Sequence, residues 1–528
     1  MKSIVDSNNL TWRKHDDVET VGLLVDAERY YRQFYRAAMS AKRSILLAGW
    51  QFDSDVALLR GDDAKNAPAP VVLIKFLNYL CEQNPELQIR ILAWDFHIVF
   101  AAEREWMQRL VFQWISHKNI LFMFDNSHVD NGSHHQKLAV IDDQQVFLGG
   151  LDLCDHRWDD SFHKNVNPLR VSRGQPHKPF HDIQAYVRSK GVAASVIELF
   201  RDRWRRAGGE ELTFLDRPAL PEALPAVEEL LPLSAAKLTL HRTDPHGSPD
   251  GHAMCQEILS LYSAAFDAAE KLIYIETQYF SSHAVAEALE RRLRATDKPQ
   301  LEVVLILNMK AETLKEQAAV GLAQAKEIAR IRKVAAETSH KIGIYYTLPD
   351  CQPGETPEQA TYIHSKLMVV DDQFLTVGSA NLTNRSMSVD TELNITVETD
   401  SALSKLGCSI QQARATLLGE HTGGPDVHLL DGLVEHLDGL ADAAARGEKG
   451  CPCRLRHHPS PTESEQAALA IIDPQALPFD PDAPESLEED RPLFVGDMSV
   501  AIQKLLGAVL EDNKKTNDEP LAQSESTA

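Results

Sequence analysis

The stretch SHHQKLAVIDD, residues 133–143, returns in nearly the same form as IHSKLMVVDD at residues 363–372. Both copies contain the pattern H-x-K-x-x-x-x-D, in which a short apolar run follows the lysine. The residues of the pattern are His135, Lys137 and Asp142 in the first copy and His364, Lys366 and Asp371 in the second. Because chance matches to such a pattern rarely occur twice in one chain, the pattern indicates an internal repeat.

The neighbours of the two motifs keep the same spacing. At 14, 15 and 17 residues after the histidine, the chain has Gly149, Gly150 and Asp152 in the first half and Gly378, Ser379 and Asn381 in the second. Upstream, Trp50 precedes the first histidine by 85 residues, and Gln278 precedes the second by 86. The two halves are therefore predicted to repeat one order of structural elements.

Apolar runs rich in Val, Ile, Leu and Phe alternate with longer helical patterns in both halves. This alternation predicts two α/β lobes whose central strands are buried on both faces. We place the first lobe at residues 1–214, a proline-rich linker at 215–234, the second lobe at 235–425 and a C-terminal extension at 426–528. The extension is predicted to be partly disordered because residues 449–490 are rich in proline and acidic residues, and an isolated amphipathic helix is predicted at 499–512.

The charge and the apolar content of the chain limit its partners. The 528 residues include 54 Lys and Arg against 77 Asp and Glu, a formal net charge of −23, so we expect no nucleic acid partner. No run reaches the length of a membrane-spanning helix, and the N-terminus lacks the apolar core of a secretory signal. Seven cysteines in so long a chain are typical of reduced thiols. We expect a cytoplasmic monomer, with export by a machinery that reads no cleavable signal as the alternative.

The repeated motif suits phosphoryl chemistry. Side chains two residues apart on a strand point to the same face, so each motif histidine projects together with its lysine. If the lobes pack about a pseudo-twofold axis, the two pairs meet at one site. The lysines would hold phosphoryl oxygens, while one histidine attacks phosphorus and the other protonates the leaving oxygen. We expect such a site to need no metal and no cofactor, because cations and oriented donors already neutralise the developing charge.

Asp142 and Asp371 complete the motifs but have the opposite strand parity to the histidines. We therefore include them in the catalytic set in a supporting role, as groups that orient backbone or a neighbouring side chain. The second strand of each half ends in small residues, at Gly150 and Ser379, where the backbone could approach a ligand closely.

The sequence resembles the phospholipase D superfamily, in which the H-x-K-x-x-x-x-D motif occurs once per lobe, followed by Gly-Gly or Gly-Ser and then by Asn or Asp. The resemblance covers most of residues 20–425 and is closest to the phosphatidylcholine-cleaving, transphosphatidylase-like bacterial branch. The segments that carry it are GGLDLCDHRWD (149–159), PFHDIQAYV (179–187), FRDRW (200–204), IETQYF (275–280) and GSANLTNRSMSVDTE (378–392). The His-Asp pair of that branch is kept as His181 and Asp182.

The resemblance implies two α/β/α lobes with the active site at their interface. It also implies a phosphohistidine intermediate, which water resolves to phosphatidate and an alcohol resolves to an exchanged lipid. By this analogy His135 is the nucleophile and His364 the acid and then the base. An acidic residue is expected against each histidine, at Asp159 in the first lobe and Glu392 in the second. The implied supporting positions at the phosphate are Gly150, Asp152, Ser379 and Asn381.

The function predicted on this basis is phospholipase D activity on a glycerophospholipid such as phosphatidylcholine. The expected partners are the phospholipid and, transiently, a membrane surface. Two alternatives from the same superfamily stay open, a cardiolipin synthase-like phosphatidyltransferase and a phosphodiesterase or nuclease. Cardiolipin synthases commonly have N-terminal membrane helices, and the smaller nucleases usually carry one motif per chain and dimerise; neither feature is seen in this sequence.

Overall fold

The computed structural model describes most of the two halves. The described residues are 3–5, 11–95, 112, 115–129, 132–216, 227–246, 254–311, 320–351, 355, 357, 359–448, 453–461 and 480. The predicted amphipathic helix at 499–512 and the predicted disorder of most of the extension lie outside these residues.

The strands and helices alternate along the chain as the sequence pattern predicts. The strands are β1 (Arg13–His15), β2 (Thr20–Val25), β3 (Ser44–Gly49), β4 (Gln88–Trp94), β5 (Ile120–Asp125), β6 (Lys137–Ile141), β7 (Gln145–Gly149), β8 (Val171–Ser172), β9 (Gln175–Pro176), β10 (Phe180–His181), β11 (Ile183–Arg188), β12 (Leu231–Leu233), β13 (Leu238–Asp244), β14 (Cys255–Gln256), β15 (Leu272–Glu276), β16 (Glu302–Ile306), β17 (Lys341–Thr347), β18 (Tyr362–Ile363), β19 (Leu367–Val370), β20 (Phe374–Gly378), β21 (Glu392–Glu398) and β22 (Leu455–His457). The helices are α1 (Asp26–Met39), α2 (Gly61–Lys65), α3 (Leu73–Gln83), α4 (Lys190–Arg206), α5 (Glu257–Ala268), α6 (His283–Leu293), α7 (Leu322–Glu337), α8 (Asn384–Ser388), α9 (Lys405–Thr422) and α10 (Leu433–Ala445).

Two of the long helices start at serine caps. The side chain of Ser189 accepts the Val192 N–H at the start of α4, and that of Ser404 accepts the Gly407 N–H at the start of α9. Each serine satisfies one of the backbone donors that the first turn of a helix leaves without a partner. The helix α9 ends at Gly423, whose φ of 70° is left-handed and suits glycine.

The two halves form two sheets with one topology. The first sheet has the order β12-β2-β11-β7-β6-β3-β4-β5, and the second has the order β1-β13-β21-β20-β19-β15-β16-β17-β22. Strand by strand, the motif hairpin β6-β7 of the first sheet corresponds to β19-β20 of the second. Beside the motif strand, β3, β4 and β5 of the first sheet run parallel to one another, as do β15, β16 and β17 of the second, and the hairpin side is antiparallel in both. The prediction of two pseudo-symmetric α/β lobes is confirmed.

The edges of the sheets depart from the division of the chain that the sequence suggests. The strand β1, which we placed in the first lobe, pairs with β13 in the second sheet, while β12 from the linker pairs with β2 in the first. The strand β22 of the extension pairs with β17. These edge strands are three residues long. Because pairing at an edge depends on tertiary proximity, so short a strand gives little signal in the sequence.

A shared apolar core fixes the lobes against each other. One buried cluster contains side chains from both motif strands, including Leu138 and Val140 of β6 and Leu367 and Val369 of β19. Helices α4 and α9 contribute to the same cluster. Separate clusters cover the outer face of each sheet. The motif strands are therefore held by packing on both faces, which sets the position of the histidines that precede them.

Candidate active site

The two motif histidines meet at the junction of the lobes because backbone pairing crosses from one lobe to the other. The N–H of His135 donates to the Thr391 carbonyl in the second half, at 3.1 Å between nitrogen and oxygen. In the same way, the N–H of His364 donates to the His181 carbonyl in the first half, at 2.8 Å. The strand β10 also pairs in parallel with β18. Each histidine is thus anchored by the opposite lobe.

Each motif histidine also has a carboxylate at Nδ1, and the contacts of the two histidines with these carboxylates lie at the same junction. Nδ1 of His135 lies 3.0 and 3.1 Å from the two carboxylate oxygens of Glu392. Nδ1 of His364 lies 2.6 Å from Oδ2 of Asp182. Both carboxylates are fully buried. A carboxylate at one ring nitrogen fixes the tautomer and leaves the other nitrogen for chemistry.

This pairing corrects the acidic residues that we expected from the resemblance. Glu392 contacts the histidine of the other lobe, and Asp182, not Asp159, takes the matching place in the first lobe. Asp159 instead contacts His163 and Arg170. The strand topology explains the equivalence, since Asp182 directly precedes β11 and Glu392 begins the corresponding strand β21. Spacing along the sequence does not show this equivalence, because Asp182 follows the motif histidine of its half by 47 residues and Glu392 follows that of its half by only 28.

The motif lysines lie beside the histidines and deeply buried. Nζ of Lys137 donates to the His135 carbonyl at 2.9 Å and lies 3.8 Å from the Asp152 carboxylate. Nζ of Lys366 donates to the His364 carbonyl and lies 3.4 Å from the amide oxygen of Gln278.

The matched upstream positions also reach the site. Trp50 has its ring 5.6 Å from Nζ of Lys137 and contacts the ring of His135 edge-on, while Gln278 accepts from Asn381 at 3.2 Å. The backbone N–H of Trp50 donates to Asp152 at 2.9 Å. The equal offsets in the sequence thus correspond to equivalent places around the two lysines.

The small residues after each hairpin leave room for the carboxylates. A Cβ on Gly150 would lie 2.2 Å from Oδ1 of Asp182, so a side chain there would displace the partner of His364. At the equivalent place Ser379 donates its hydroxyl to Glu392. Gly150 and Ser379 therefore help to position the carboxylates that contact the motif histidines.

Burial and positive charge dominate the titration of the site. Burial and then the charges of Lys137 and Lys366 hold the pKa of His135 well below its ordinary value, and the same kinds of cause lower that of His364. Burial raises the pKa of Glu392 to about 8, and burial also raises that of Asp182 to about 7. Both imidazoles are thus neutral before a ligand binds, and the site suits an anion that would offset the lysine charges.

Arg157 is a third cation of the site that the motif does not reveal. After burial, its charge is among the causes that lower the pKa values of His364 and Lys366. It stacks over the ring of Phe180, which precedes the His181-Asp182 pair. Arg157 lies in GGLDLCDHRWD, seven residues after Gly150, and no spacing pattern in the sequence indicates that it reaches the site.

Asp142 and Asp371 do not face the site. Asp142 accepts the backbone N–H groups of Lys42, Arg43 and Ser44 at 2.6 to 2.9 Å, where β3 begins. Asp371 accepts the three equivalent N–H groups of residues 270–272 at the start of β15, at 2.7 to 2.8 Å. Both have φ near 50° in the hairpin turn after the motif strand. The predicted supporting role, in which they orient backbone, is confirmed, and their place in the catalytic set is wrong, since they join neighbouring strands.

We expect Asp142→Ala to destabilise the protein and to leave its chemistry largely intact. Loss of the carboxylate leaves three backbone donors without their acceptor, which should lower the free energy of unfolding by about 3 kcal/mol. Thermal unfolding followed by circular dichroism measures the effect, with the exposed Asp400→Ala as a control that should keep the wild-type midpoint. A kcat reduced as strongly as by a motif histidine variant, at unchanged thermal midpoint, would return Asp142 to the catalytic set.

No helix in the described parts of the chain combines the length and apolar character that crossing a membrane requires.

Models of one superfamily match both halves of the chain. The model described as "Phospholipase D" matches residues 37–229, and the model described as "Cardiolipin synthase, PLD-like domain" matches residues 262–413. The chain is 23% identical over 489 residues to phospholipase D alpha 1 of Ricinus communis, covering 69% of this chain and 60% of that relative. It is 22% identical over 510 residues to phospholipase D alpha 3 of Arabidopsis thaliana, covering 72% of this chain and 61% of the relative. The chain thus spans about three fifths of the length of these relatives.

A solved structure shares the fold. The phosphatidylserine synthase of Haemophilus influenzae Rd KW20 superposes with a TM-score of 0.50 at 14% identity, covering 84% of this chain and 96% of that chain. At this identity the likeness concerns the architecture of the two lobes. With both motif halves matched and the two-lobe fold in place, the chain belongs to the phospholipase D superfamily.

Proposed function

We propose that this chain cleaves the phosphodiester of a glycerophospholipid such as phosphatidylcholine, transferring the phosphatidyl group through a covalent histidine to water or to an alcohol. The observation that carries the proposal is the exchange of carboxylates between the lobes. It gives each motif histidine a buried partner at Nδ1 and leaves both Nε2 atoms for a single phosphate. Two lysines beside them suit the phosphoryl oxygens.

In the first step, Nε2 of His135 forms a bond to phosphorus while the bond from phosphorus to the headgroup oxygen breaks. The proton on Nε2 of His364 passes to that oxygen. In the second step, neutral His364 takes a proton from water or an alcohol, whose oxygen forms the new bond to phosphorus as the nitrogen–phosphorus bond breaks. Hydrolysis and exchange therefore share one intermediate.

The acid role of His364 depends on the bound substrate. After burial, the charges of Lys366, Arg157 and Lys137 lower its pKa, so it is neutral in the free site. A phosphodiester anion between the lysines offsets those charges and raises the pKa again. Binding of the substrate thus prepares its own proton donor.

Glu392 stabilises the intermediate more than the free site. Its pKa is raised to about 8 by burial and then by repulsion from Asp390, so ionisation is unfavourable while the neighbouring imidazole is neutral. Phosphorylation at Nε2, with the proton kept at Nδ1, gives the His135 ring a positive charge. A positive ring favours the ionised form of the Glu392 carboxylate, and the attraction between the two groups stabilises the intermediate.

A membrane contact is part of the proposal. The loop between β7 and β8 exposes Phe162 and Val166 at 66% and 68% of their surface. Lys164 lies between them in the sequence and places its Nζ 5.6 Å from the Phe162 ring. Exposed apolar side chains next to a cation suit the headgroup layer of a phospholipid bilayer. From this loop the chain continues through β8 and β9 to β10, which contains His181 and leads to Asp182.

A phosphatidyltransferase that uses a lipid or amino alcohol as acceptor is the second candidate. It is favoured by the cardiolipin synthase description of the model that matches the second half, and it would use the same intermediate. A nuclease function receives less support because the chain has a net charge of −23, which repels a polyanion.

Product analysis on phosphatidylcholine micelles, with and without ethanol, tests the proposal. We expect phosphatidate without the alcohol and phosphatidylethanol at its expense when ethanol is added. Parallel reactions contain phosphatidylglycerol, free serine or a single-stranded oligonucleotide. Cardiolipin or phosphatidylserine formed faster than phosphatidate would favour the transferase, and cleavage of only the oligonucleotide would contradict the phospholipid substrate.

The pH dependence should reveal a lysine that loses its charge near neutrality. Burial reduces the pKa of Lys366 to about 7. The charge of Asp182 raises this pKa, and that of Lys137 lowers it further. A lysine is charged below its pKa and neutral above it, so the free site loses affinity for the phosphodiester anion as the pH rises. We therefore expect kcat/KM, which reports on the free enzyme, to fall above about pH 7, while kcat holds to higher pH because the bound anion raises the lysine pKa.

Lys366→Arg is the matched variant for this pH profile, since a guanidinium stays charged throughout the accessible range. Its kcat/KM should be lower than that of the wild type but should lose the alkaline fall. If the fall persists unchanged in Lys366→Arg, the titrating group is not Lys366.

A further inference from the structure

A second cluster of ligating side chains is buried beside the phosphodiester site. It consists of Asp26 at the start of α1, His163 in the loop after β7, His181 of β10 and Glu420 of α9. At most 8% of any of these side chains is exposed. Three of them come from the first half and one from the last helix of the second lobe. The motif chemistry uses none of them.

The ligating atoms of this cluster lie within 4.8 Å of one another. Nδ1 of His181 lies 2.6 Å from Glu420 and 3.2 Å from Asp26, measured to the nearest carboxylate oxygen. Nε2 of His163 lies 3.1 Å from Glu420 and 3.7 Å from Asp26. Four ligands at the bond lengths of zinc, about 2.0–2.2 Å, stand roughly 3.3–3.6 Å apart at the corners of a tetrahedron. Three of the four observed separations are shorter than this and one is longer, so a bound ion would move His181 and Glu420 apart.

Each imidazole is held by a carboxylate on its far side. Nδ1 of His163 lies 3.0 Å from Asp159, and Nε2 of His181 lies 2.9 Å from Glu276. Donation outward from both rings would leave the inner nitrogens with lone pairs that point into the cluster, where Nε2 of His163 lies at hydrogen-bond distance, 3.1 Å, from Glu420. Metal-binding histidines in proteins characteristically have this carboxylate support, which fixes the tautomer and raises the basicity of the ligand.

Two inner atoms of the cluster have no hydrogen bond among the described residues. They are Nδ1 of His181 and Oδ2 of Asp26, and both side chains are fully buried. Nδ1 of His181 is close to two carboxylates, at 2.6 Å from Glu420 and 3.2 Å from Asp26, but its ring N–H direction points at neither oxygen. A buried polar atom without a partner is costly, so these two atoms indicate a ligand between them.

We propose that Asp26, His163, His181 and Glu420 bind one divalent transition metal ion, with zinc as the ion that fits best. Two imidazole nitrogens and two carboxylate oxygens suit zinc better than calcium or magnesium, which prefer six or more oxygen ligands. Because all four positions are filled by protein and the cluster is enclosed, the ion would be structural and would leave the metal-independent phosphohistidine chemistry unchanged.

The position of the ion gives it a defined effect. The backbone N–H of Asp182 donates to Oδ1 of Asp26, and the backbone N–H of Asp26 donates to the Asp182 carbonyl. Asp182 in turn holds His364. The ion would therefore tie the second lobe, through Glu420, to the residue that orients a motif histidine.

The competing explanation is a network of protonated imidazoles. Against the lowering effect of burial, Asp26, Asp159 and Glu420 raise the pKa of His163 to about 9. Two imidazolium ions and one divalent ion place the same charge among the carboxylates, so charge does not separate the two explanations. They differ in the proton on Nδ1 of His181, which an imidazolium would carry towards Glu420 and Asp26 and which a metal-bound imidazole would lack.

Metal analysis of the full chain, expressed without a histidine tag in zinc-supplemented medium and purified without chelator, tests the proposal. We expect one zinc per chain by inductively coupled plasma mass spectrometry. His163→Gln and Glu420→Gln should each lose the ion, whereas His436→Gln, an exposed histidine of α10, should retain it. Circular dichroism of each variant checks that the fold persists.

Zinc X-ray absorption on the wild-type protein provides a measurement that needs no variant. Four nitrogen or oxygen neighbours with imidazole scattering are expected. Wild-type protein without stoichiometric metal, variants that keep full stoichiometry, or a sulfur ligand in the absorption spectrum would each overturn the site and favour the imidazolium network.

Discussion

His135→Ala is expected to lower kcat for phosphatidate formation and for alcohol exchange together, by about 10⁴-fold or more. The side chain supplies the only nucleophile in the proposed first step, and both reactions pass through the covalent state that it forms. Initial rates with phosphatidylcholine, measured with and without ethanol, give the two losses separately. The ratio of phosphatidylethanol to phosphatidate in any residual activity is also informative, because a background reaction would have its own ratio.

His436→Ala controls for the loss of a histidine elsewhere, since this residue lies exposed on α10, and it should keep the wild-type rates. Gel filtration and circular dichroism establish that His135→Ala is folded. If hydrolysis disappears while exchange continues in His135→Ala, the two reactions do not share an intermediate on this residue.

His364→Ala is expected to lose the natural reaction almost as severely but to recover with an activated substrate. The headgroup alkoxide of phosphatidylcholine needs a proton as it leaves, and general acid catalysis contributes about 10²–10⁴-fold. A phosphatidyl ester of p-nitrophenol has a leaving group that departs without a proton. The burst of p-nitrophenol from His364→Ala should therefore approach the wild-type rate, while turnover stays slow because the second step lacks its base.

Asp182→Asn provides the matched comparison, because it keeps the shape beside His364 and removes the charge at Nδ1. It should fall between the wild type and His364→Ala with the natural lipid. Equal impairment of His364→Ala with both leaving groups would show that the residue does not act as the acid.

Much of this architecture could be predicted from the sequence because the repeated residues are those that pack in the core or take part in the chemistry. The apolar runs after His135 and His364 are buried on both faces, so they kept their pattern in both halves. The offsets of Gly150 and Ser379 were kept because each adjoins a carboxylate partner of a motif histidine. Local packing and the chemistry of the site impose the same spacing in both copies.

Other features depend on contacts between the halves, which spacing along the chain does not show. The segment between the motif hairpin and Asp182 is longer than the segment between the second hairpin and Glu392. The two carboxylates therefore stand at different distances from their motifs, and the sequence does not reveal that they are equivalent. Tertiary contacts likewise decide that the edge strand β1 joins the second sheet and that β12 joins the first. The sequence pattern specified the two lobes, and their mutual packing decided which carboxylate serves which histidine.

The most direct test of a single composite site is acid-quench mass spectrometry of the wild-type protein with an activated phosphatidyl ester. The enzyme is mixed with the p-nitrophenyl substrate, quenched during the burst under conditions that preserve phosphohistidine, digested and mapped. We predict a phosphatidyl adduct on His135, increased in His364→Ala and absent in His135→Ala. An adduct on His364 would reverse the assigned roles. No adduct on either histidine, together with inversion at phosphorus in a chiral substrate, would contradict the two-step mechanism.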